Sequence, residues 1–403
     1  MRPNNHGERP LLISNARVVL PNRLAEGLDV KLEDGRIVHI ARSGSSEPDD
    51  PSAVIRLGDA TLYPGFIDAH IHGAVGVDTN DTDINGLQAV GSYLARNGVT
   101  AWLPTLVPDS EDNYRKSIRT IDELMRQQSG DNGQNGRLLS RVLGVHYEGP
   151  FVSDKQCGAL RSQFFKTFTA GDELESLPRL QDSSAVHLTT VAPEVEGGID
   201  LVKELVRQGW IVSIGHTRAS MDVLDQAFEA GARHLTHFMN AMAPLHHRAP
   251  GPVAWGLMRD DVTFDVIADG AHIDPFVLRL LLKLKDVNGV SLISDAIAAA
   301  GMGDGDYSIW GETITVKDGR TKNARGSIAG SVITMLDAAR LMLSLGVSEV
   351  DMARMAATNP ARLLGIDREC GSIAEGKRAD LVALDKTGGV RLTIIGGEIG
   401  FTT

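Results

Sequence analysis

The sequence predicts an α/β fold, a TIM (β/α)8 barrel carrying a small β-sandwich-like domain formed by both chain termini. Three observations lead there. Eight short apolar runs alternate with helix-like stretches through the middle of the chain, the pattern of parallel β-α units. Both chain ends carry strand-like runs without such helices. Polar groups capable of chemistry stand where the apolar runs end.

In order, residues 11–20, 28–40 and 53–58 read as short strands, with Asp34-Gly35 as a two-residue hairpin turn. The eight barrel runs are 61–70, 100–105, 141–148, 187–194, 210–216, 234–240, 263–269 and 289–295. Helical patterns occupy 83–97, 112–128, 199–208, 219–231 and 275–285 between them. Strands return at 380–385 and 390–400. The expected division is 1–60 and 367–403 for the small domain and 61–366 for the barrel. Residues 42–52 read as a surface loop and 128–136 as a mobile loop. A length of 403 residues suits a barrel of about 250 residues with additions.

Composition excludes several classes. Aromatics are only 5%, too few for a base-stacking surface. A net charge of −12 argues against a sequence-independent grip on nucleic-acid phosphates. A few local cations could still hold a small anion. Two cysteines, Cys157 and Cys370, give no disulfide framework, which suits a reducing compartment. The first residues lack a signal-peptide pattern and no run of about 18 apolar residues occurs, so a cytoplasmic protein without membrane contact is expected.

The chemistry concentrates at strand ends. His70 and His72 close the first run, Glu148 the third, His216 the fifth and Asp295 the eighth, and the sixth carries His237. Barrel strands direct their C-terminal ends to one mouth, so these residues converge. His70 and His72, two apart on a strand, share a face and can reach one cation; a hydrogen-bonded pair is the plainer alternative. Glu148 can bridge two cations or simply end a strand in a salt bridge. Asp295 beside a metal-bound water suits a general base and then acid, or it is a turn or cap residue. Asp68 could orient one imidazole. His234 points away by strand parity and reads as structural. Together the nitrogen and oxygen donors suit Zn²⁺ or a similar first-row cation. The glycine-rich 301–305 mimics a dinucleotide loop but lacks a βαβ unit, so it reads as a flexible loop. Ser331 reads as a helix cap. Neither a G-x-S-x-G elbow nor a convincing cysteine nucleophile is present.

The segments PGFIDAHIHG (64–73), HYEGPF (146–151), GHT (215–217), THFMNAM (236–242), HHRAPG (246–251), ADGAHID (268–274), SDA (294–296) and SIAGS (327–331) resemble the N-acetylglucosamine-6-phosphate deacetylase family of the amidohydrolase superfamily. The resemblance implies Glu148, His216 and His237 as ligands of the principal metal and Asp295 as acid/base. It implies one or two ions, with His70 and His72 serving the second and Glu148 bridging. It implies that Asn240, Ala241, His272 and Ala159 contact an N-acetyl amino sugar phosphate. It also implies a homodimer in which Arg248 reaches the phosphate in the neighbouring site. Leu160 stands where members often carry a histidine near the sugar hydroxyls, and Met239 replaces a frequent aromatic. The sugar epimer therefore stays open. Dihydroorotase-like cousins use a fourth-strand lysine, which HLTTVAPE (187–194) lacks. The expected activity is hydrolysis of the acetamide of N-acetylglucosamine 6-phosphate. Deacetylation of N-acetylgalactosamine 6-phosphate or another N-acyl compound is the alternative. A non-catalytic assembly protein is the third reading, opposed by the complete ligand set.

Overall fold

The computed structural model describes residues 10–44, 53–130, 139–169 and 171–403. Most of the two loops expected at 42–52 and 128–136 lies outside the described residues. Eight parallel strands build a nearly closed barrel. They are Phe66–Ile71, Val99–Leu106, Gly144–Glu148, Val186–Val191, Ile211–Ile214, His234–Leu235, Thr263–Ile267 and Val290–Ile293. Each pairs in parallel with the next. Backbone bonds join the eighth strand's exit to the first: Asp295 N–H donates to the His70 carbonyl at 2.9 Å, and His72 N–H to the Ala296 carbonyl at 2.8 Å.

The apolar runs form strands because both faces are covered. All eight residues of Val99–Leu106 are buried, as expected of a parallel sheet between helices and barrel interior. The helices are amphipathic and punctuated. In Ile84–Arg96, Leu87, Val90, Gly91 and Leu94 are buried along one face, and Asp83 caps the start by accepting the Gly86 N–H. Met221–Ala230 starts at Ser220 and stops at Gly231, whose φ of 115° only glycine adopts easily. After the third strand the described residues hold short 3-10 turns instead of an α-helix, at Asp154–Gln156, Ser162–Phe164 and Gly171–Ser176.

Strands from both chain ends share a second sheet. Its order is Glu398–Thr402, Val390–Ile395, Leu381–Leu384, Thr61–Pro64, Leu11–Leu20, Arg23–Glu33 and Arg36–Arg42, with Val54–Arg56 also on Leu11–Leu20. This sheet has its own core, including Ile13, Val30, Leu62, Leu381 and Ile394. The run 61–70 is therefore split. Thr61–Pro64 pairs with Leu381–Leu384, and only Phe66–Ile71 enters the barrel. Gly65 is the joint, where a Cβ would lie 2.3 Å from the Thr100 side chain. We propose Gly65 as the boundary between the two units.

Three expectations change. Residues 390–400 form two strands, turned at Gly396-Gly397 with φ of 59° and 88°. The sixth barrel strand stops at Leu235, because His237, Met239 and Ala241 all adopt positive φ, which breaks strand pairing. The glycine-rich 301–305 leads into an antiparallel insert of Gly305–Ile309, Glu312–Lys317 and Arg320–Asn323. The Asp318-Gly319 pair between its last two strands is a sequence signal for a hairpin.

Candidate metal centre

The strand ends bring His70, His72, Glu148, His216, His237 and Asp295 together, all buried. Two triads share Glu148. In the first, His70 Nε2 lies 3.1 Å from His72 Nε2. Glu148 Oε1 is 3.6 Å from His70 Nε2, and Oε2 is 3.3 Å from His72 Nε2. In the second, Glu148 Oε1 is 2.9 Å from both His216 Nε2 and His237 Nε2. Those two nitrogens are 3.1 Å apart. Asp295 Oδ1 faces the first triad, 3.4 Å from His70 Nε2 and 3.2 Å from His72 Nε2.

These spacings fit a cation. Donors about 2.0–2.1 Å from one tetrahedral ion stand roughly 3.3 Å apart. Imidazole nitrogens pointed at each other at 3.1 Å need a proton or a cation between their lone pairs. The other ring nitrogens settle which edge is presented. His72 Nδ1 lies 3.2 Å from the Thr105 carbonyl and His216 Nδ1 2.8 Å from the Gln156 carbonyl. A carbonyl accepts only an N–H, so both rings hold the proton on Nδ1 and offer Nε2 as donor to a metal.

Burial would raise the Glu148 carboxyl, but the His216 charge and the hydrogen bonds from His216 and His237 hold it well below the usual range. Burial opposes protonation of His72, yet hydrogen bonds to Asp295 and Glu148 lift it to about 10. His237 is lifted to about 9 against burial by Glu148. Burial and neighbouring histidines push His70 well down. The pocket thus balances positive charge against two carboxylates, the balance a cation would take over.

Backbone strain marks the same residues. His216, His237 and Asp295 have φ of 47°, 33° and 49°, in the left-handed region that non-glycine residues seldom occupy. The surroundings enforce it. Asp265 accepts the His237 backbone N–H and bonds His234 Nε2 at 3.0 Å, so His234 is structural as expected. Ser331 is not a cap: its N–H donates to the Asp295 carbonyl at 2.7 Å and its hydroxyl to the Ser294 carbonyl. Thr334 caps the next helix with Asp337. Asp68 does not orient an imidazole. It accepts the Ser294 hydroxyl at 2.6 Å and the N–H groups of Ser294 and His70, locking the first strand to the eighth. Asp265 was not among the expected site residues; a charged residue inside an apolar run was its signal.

The expected substrate contacts differ in how the fold holds them. Asn240 is tethered to the His237 carbonyl at 3.2 Å, and the Ala241 carbonyl accepts the Thr217 N–H. A Cβ on Gly158 would lie 3.6 Å from His216 Cε1 and 3.9 Å from Ala241 Cβ, so the Gly158-Ala159 turn lies over the second triad. Asp269 Oδ2 fixes His272 Nδ1 at 2.7 Å, turning Nε2 to the opposite edge. Leu160 is buried with Val107 and Val152. Arg248 stands apart, exposed, its guanidinium on His247.

Fold and site define a metal-dependent (β/α)8 barrel with a shared His/Glu centre at its mouth. The chain belongs to the amidohydrolase family, whose model matches residues 61–400. It is 33% identical to N-acetylglucosamine-6-phosphate deacetylase of Bacillus subtilis, over 97% of each chain. It is 35% identical to N-acetylgalactosamine-6-phosphate deacetylase of Escherichia coli O157:H7, over 87% of this chain and 90% of that one. Among solved structures, it is similar to N-acetylglucosamine-6-phosphate deacetylase of Thermotoga maritima, with a TM-score of 0.85 and 32% identity over 98% and 100% of the chains.

Proposed function

We propose that this amidohydrolase cleaves the acetamide of N-acetylglucosamine 6-phosphate, giving acetate and glucosamine 6-phosphate in amino-sugar catabolism. The observation that carries the reading is Asp295 facing the first of two triads joined by Glu148, in a chain similar over nearly its whole length to deacetylases of that substrate. A divalent cation, Zn²⁺ by its donor set, would supply Lewis-acid polarisation of the amide carbonyl and would bring the pKa of a water down to about 7. Glu148, His216 and His237 would hold the principal ion, and His70 and His72 with Glu148 a second. Asp295 takes the proton of the attacking water and returns it to the leaving nitrogen, so the C–N bond breaks to a carboxylate and an amine. Asn240, Ala241, Ala159 and His272 orient the sugar.

N-acetylgalactosamine 6-phosphate is the second reading, favoured by the similarity to the Escherichia coli O157:H7 deacetylase of that sugar, 35% identical over 87% of this chain. An acetate-release screen over both sugars, with and without the 6-phosphate, decides between them. Loss of the Arg248 guanidinium in Arg248→Ala should lower kcat/KM about 10- to 150-fold on phosphorylated sugars, the magnitude of about 1.5–3 kcal/mol for a charged hydrogen bond. An equal loss on unphosphorylated sugars would remove its phosphate role.

We also infer a homodimer in a reducing, cytoplasmic setting. Both cysteines are free, and no helix among the described residues is long and apolar enough to cross a membrane. Helix Pro275–Leu284 exposes Phe276, Leu280 and Leu284 at four-residue spacing, and Met258 nearby is 82% exposed. Such a stripe suits burial against a second copy. Arg248, just before helix Gly251–Met258, would then serve the neighbouring site. Mixing Arg248→Ala and Asp295→Asn subunits should restore activity, because one site per mixed dimer keeps both groups. No recovery on verified subunit exchange would place Arg248 in its own subunit's site.

A further inference from the structure

The antiparallel insert after the eighth barrel strand ends its first hairpin in Trp310-Gly311, between the paired residues Ile309 and Glu312. Both turn residues have positive φ, 53° and 79°, the backbone of a tight two-residue hairpin turn. Glycine or asparagine is the ordinary choice for the first position. A tryptophan there is strained and places a large ring at the tip. That ring is partly buried, standing edge-to-face on His72 with centroids 5.2 Å apart and planes at 84°. It also packs on the Val107, Val152 and Leu160 cluster together with Phe165. The insert is held down by Ile309, Ile314 and Val316 against Ile297, Ala299 and Ala329. The ring is therefore a fixed wall on the first-triad side of the mouth.

We propose that Trp310 is the acyl-limiting wall of the site, admitting an acetyl methyl and excluding longer acyl chains. The inference rests on the N-acyl amino sugar reading above. The reacting carbon carries the sugar nitrogen on one side and the acyl chain on the other. Ala241 and the Gly158 turn lie by His216, so the sugar belongs to the second-triad side. With the carbonyl over the shared Glu148, the acyl chain extends toward His72 and meets the Trp310 ring. Leu160, Phe165 and the Trp310 ring make that end mainly apolar, which suits a methyl group.

The test measures kcat/KM for N-acetyl, N-propionyl and N-butyryl hexosamine 6-phosphates in wild type, Trp310→Gly and Trp310→Asn. Glycine and asparagine both suit the left-handed turn, so the hairpin should persist, and circular dichroism and metal content verify it. Wild type should favour acetyl over butyryl strongly. The butyryl-to-acetyl ratio should rise at least about 10-fold in both variants, since each methylene fitted or refused counts for about 10- to 200-fold. An unchanged ratio with full metal content overturns the proposal, as does a wild type that accepts butyryl freely. Lost metal with an unchanged ratio would make Trp310 a support for His72 and also overturn it. A wild type that releases no acetate from any N-acetyl hexosamine 6-phosphate overturns the substrate reading itself, which is a distinct result.

Discussion

Asp295→Asn should lower kcat by about 10²- to 10⁴-fold, the range that general acid–base groups contribute, while bound metal stays near the wild-type amount. Asparagine has nearly the same shape, so the backbone that fixes Asp295 need not move. Its N–H still reaches the His70 carbonyl, and its carbonyl still accepts the Ser331 N–H. What is lost is the capacity to hold a proton. The carboxylate can take one from the attacking water and deliver it to the leaving nitrogen; a neutral amide can do neither. Metal should remain because the second triad, Glu148 with His216 and His237, makes no use of Asp295. Steady-state rates with metal analysis on the same preparation check this. A variant within tenfold of wild type would remove Asp295 from proton transfer. Loss of both metal and activity would instead make it a ligand first.

Sequence reading reached this site because barrel geometry turns scattered strand ends into one neighbourhood. His70, His72, Glu148, His216, His237 and Asp295 each follow an apolar run, and apolar runs in a parallel barrel have one exit direction. The helices at 83–97 and 219–231 were legible because their caps and apolar faces are local signals, seen as Asp83, Ser220 and Gly231. What escaped was non-local or contrary to local preference. The left-handed φ of His216, His237 and Asp295 opposes intrinsic propensity and exists only because Asp265, Ser331 and neighbouring strands impose it. Asp68 pairs with Ser294, far along the chain, which no local pattern encodes. The glycine-rich 301–305 reads as a flexible loop, and the insert that follows it and holds Trp310 has no strand expectation, although Asp318-Gly319 signals a hairpin. Trp310 sits where turn chemistry would have placed glycine or asparagine, and its contact with His72 became visible only in three dimensions.

The largest structural effect should follow Glu148→Ala. This residue alone belongs to both triads. Its Oε1 touches His216 and His237 at 2.9 Å, and its Oε2 faces His72 at 3.3 Å. Removing it takes one donor from each candidate cation position and leaves two sets of mutually facing imidazoles. Those rings then repel a second positive charge without a carboxylate to offset it. Bound metal should fall at both positions, and turnover with it. His72→Asn is the informative contrast, because it strips a donor from the first triad only. Ligand linkage supplies an independent readout. A cation at 100 times its Kd stabilises the fold that binds it by about 2.7 kcal/mol, so added zinc should raise the wild-type Tm by a few degrees. In Glu148→Ala that rise should vanish, and in His72→Asn part of it should persist. Wild-type metal content in Glu148→Ala would exclude the bridge. Equal and complete metal loss in both variants would mean that neither position fills without the other, making the two triads a single cooperative site.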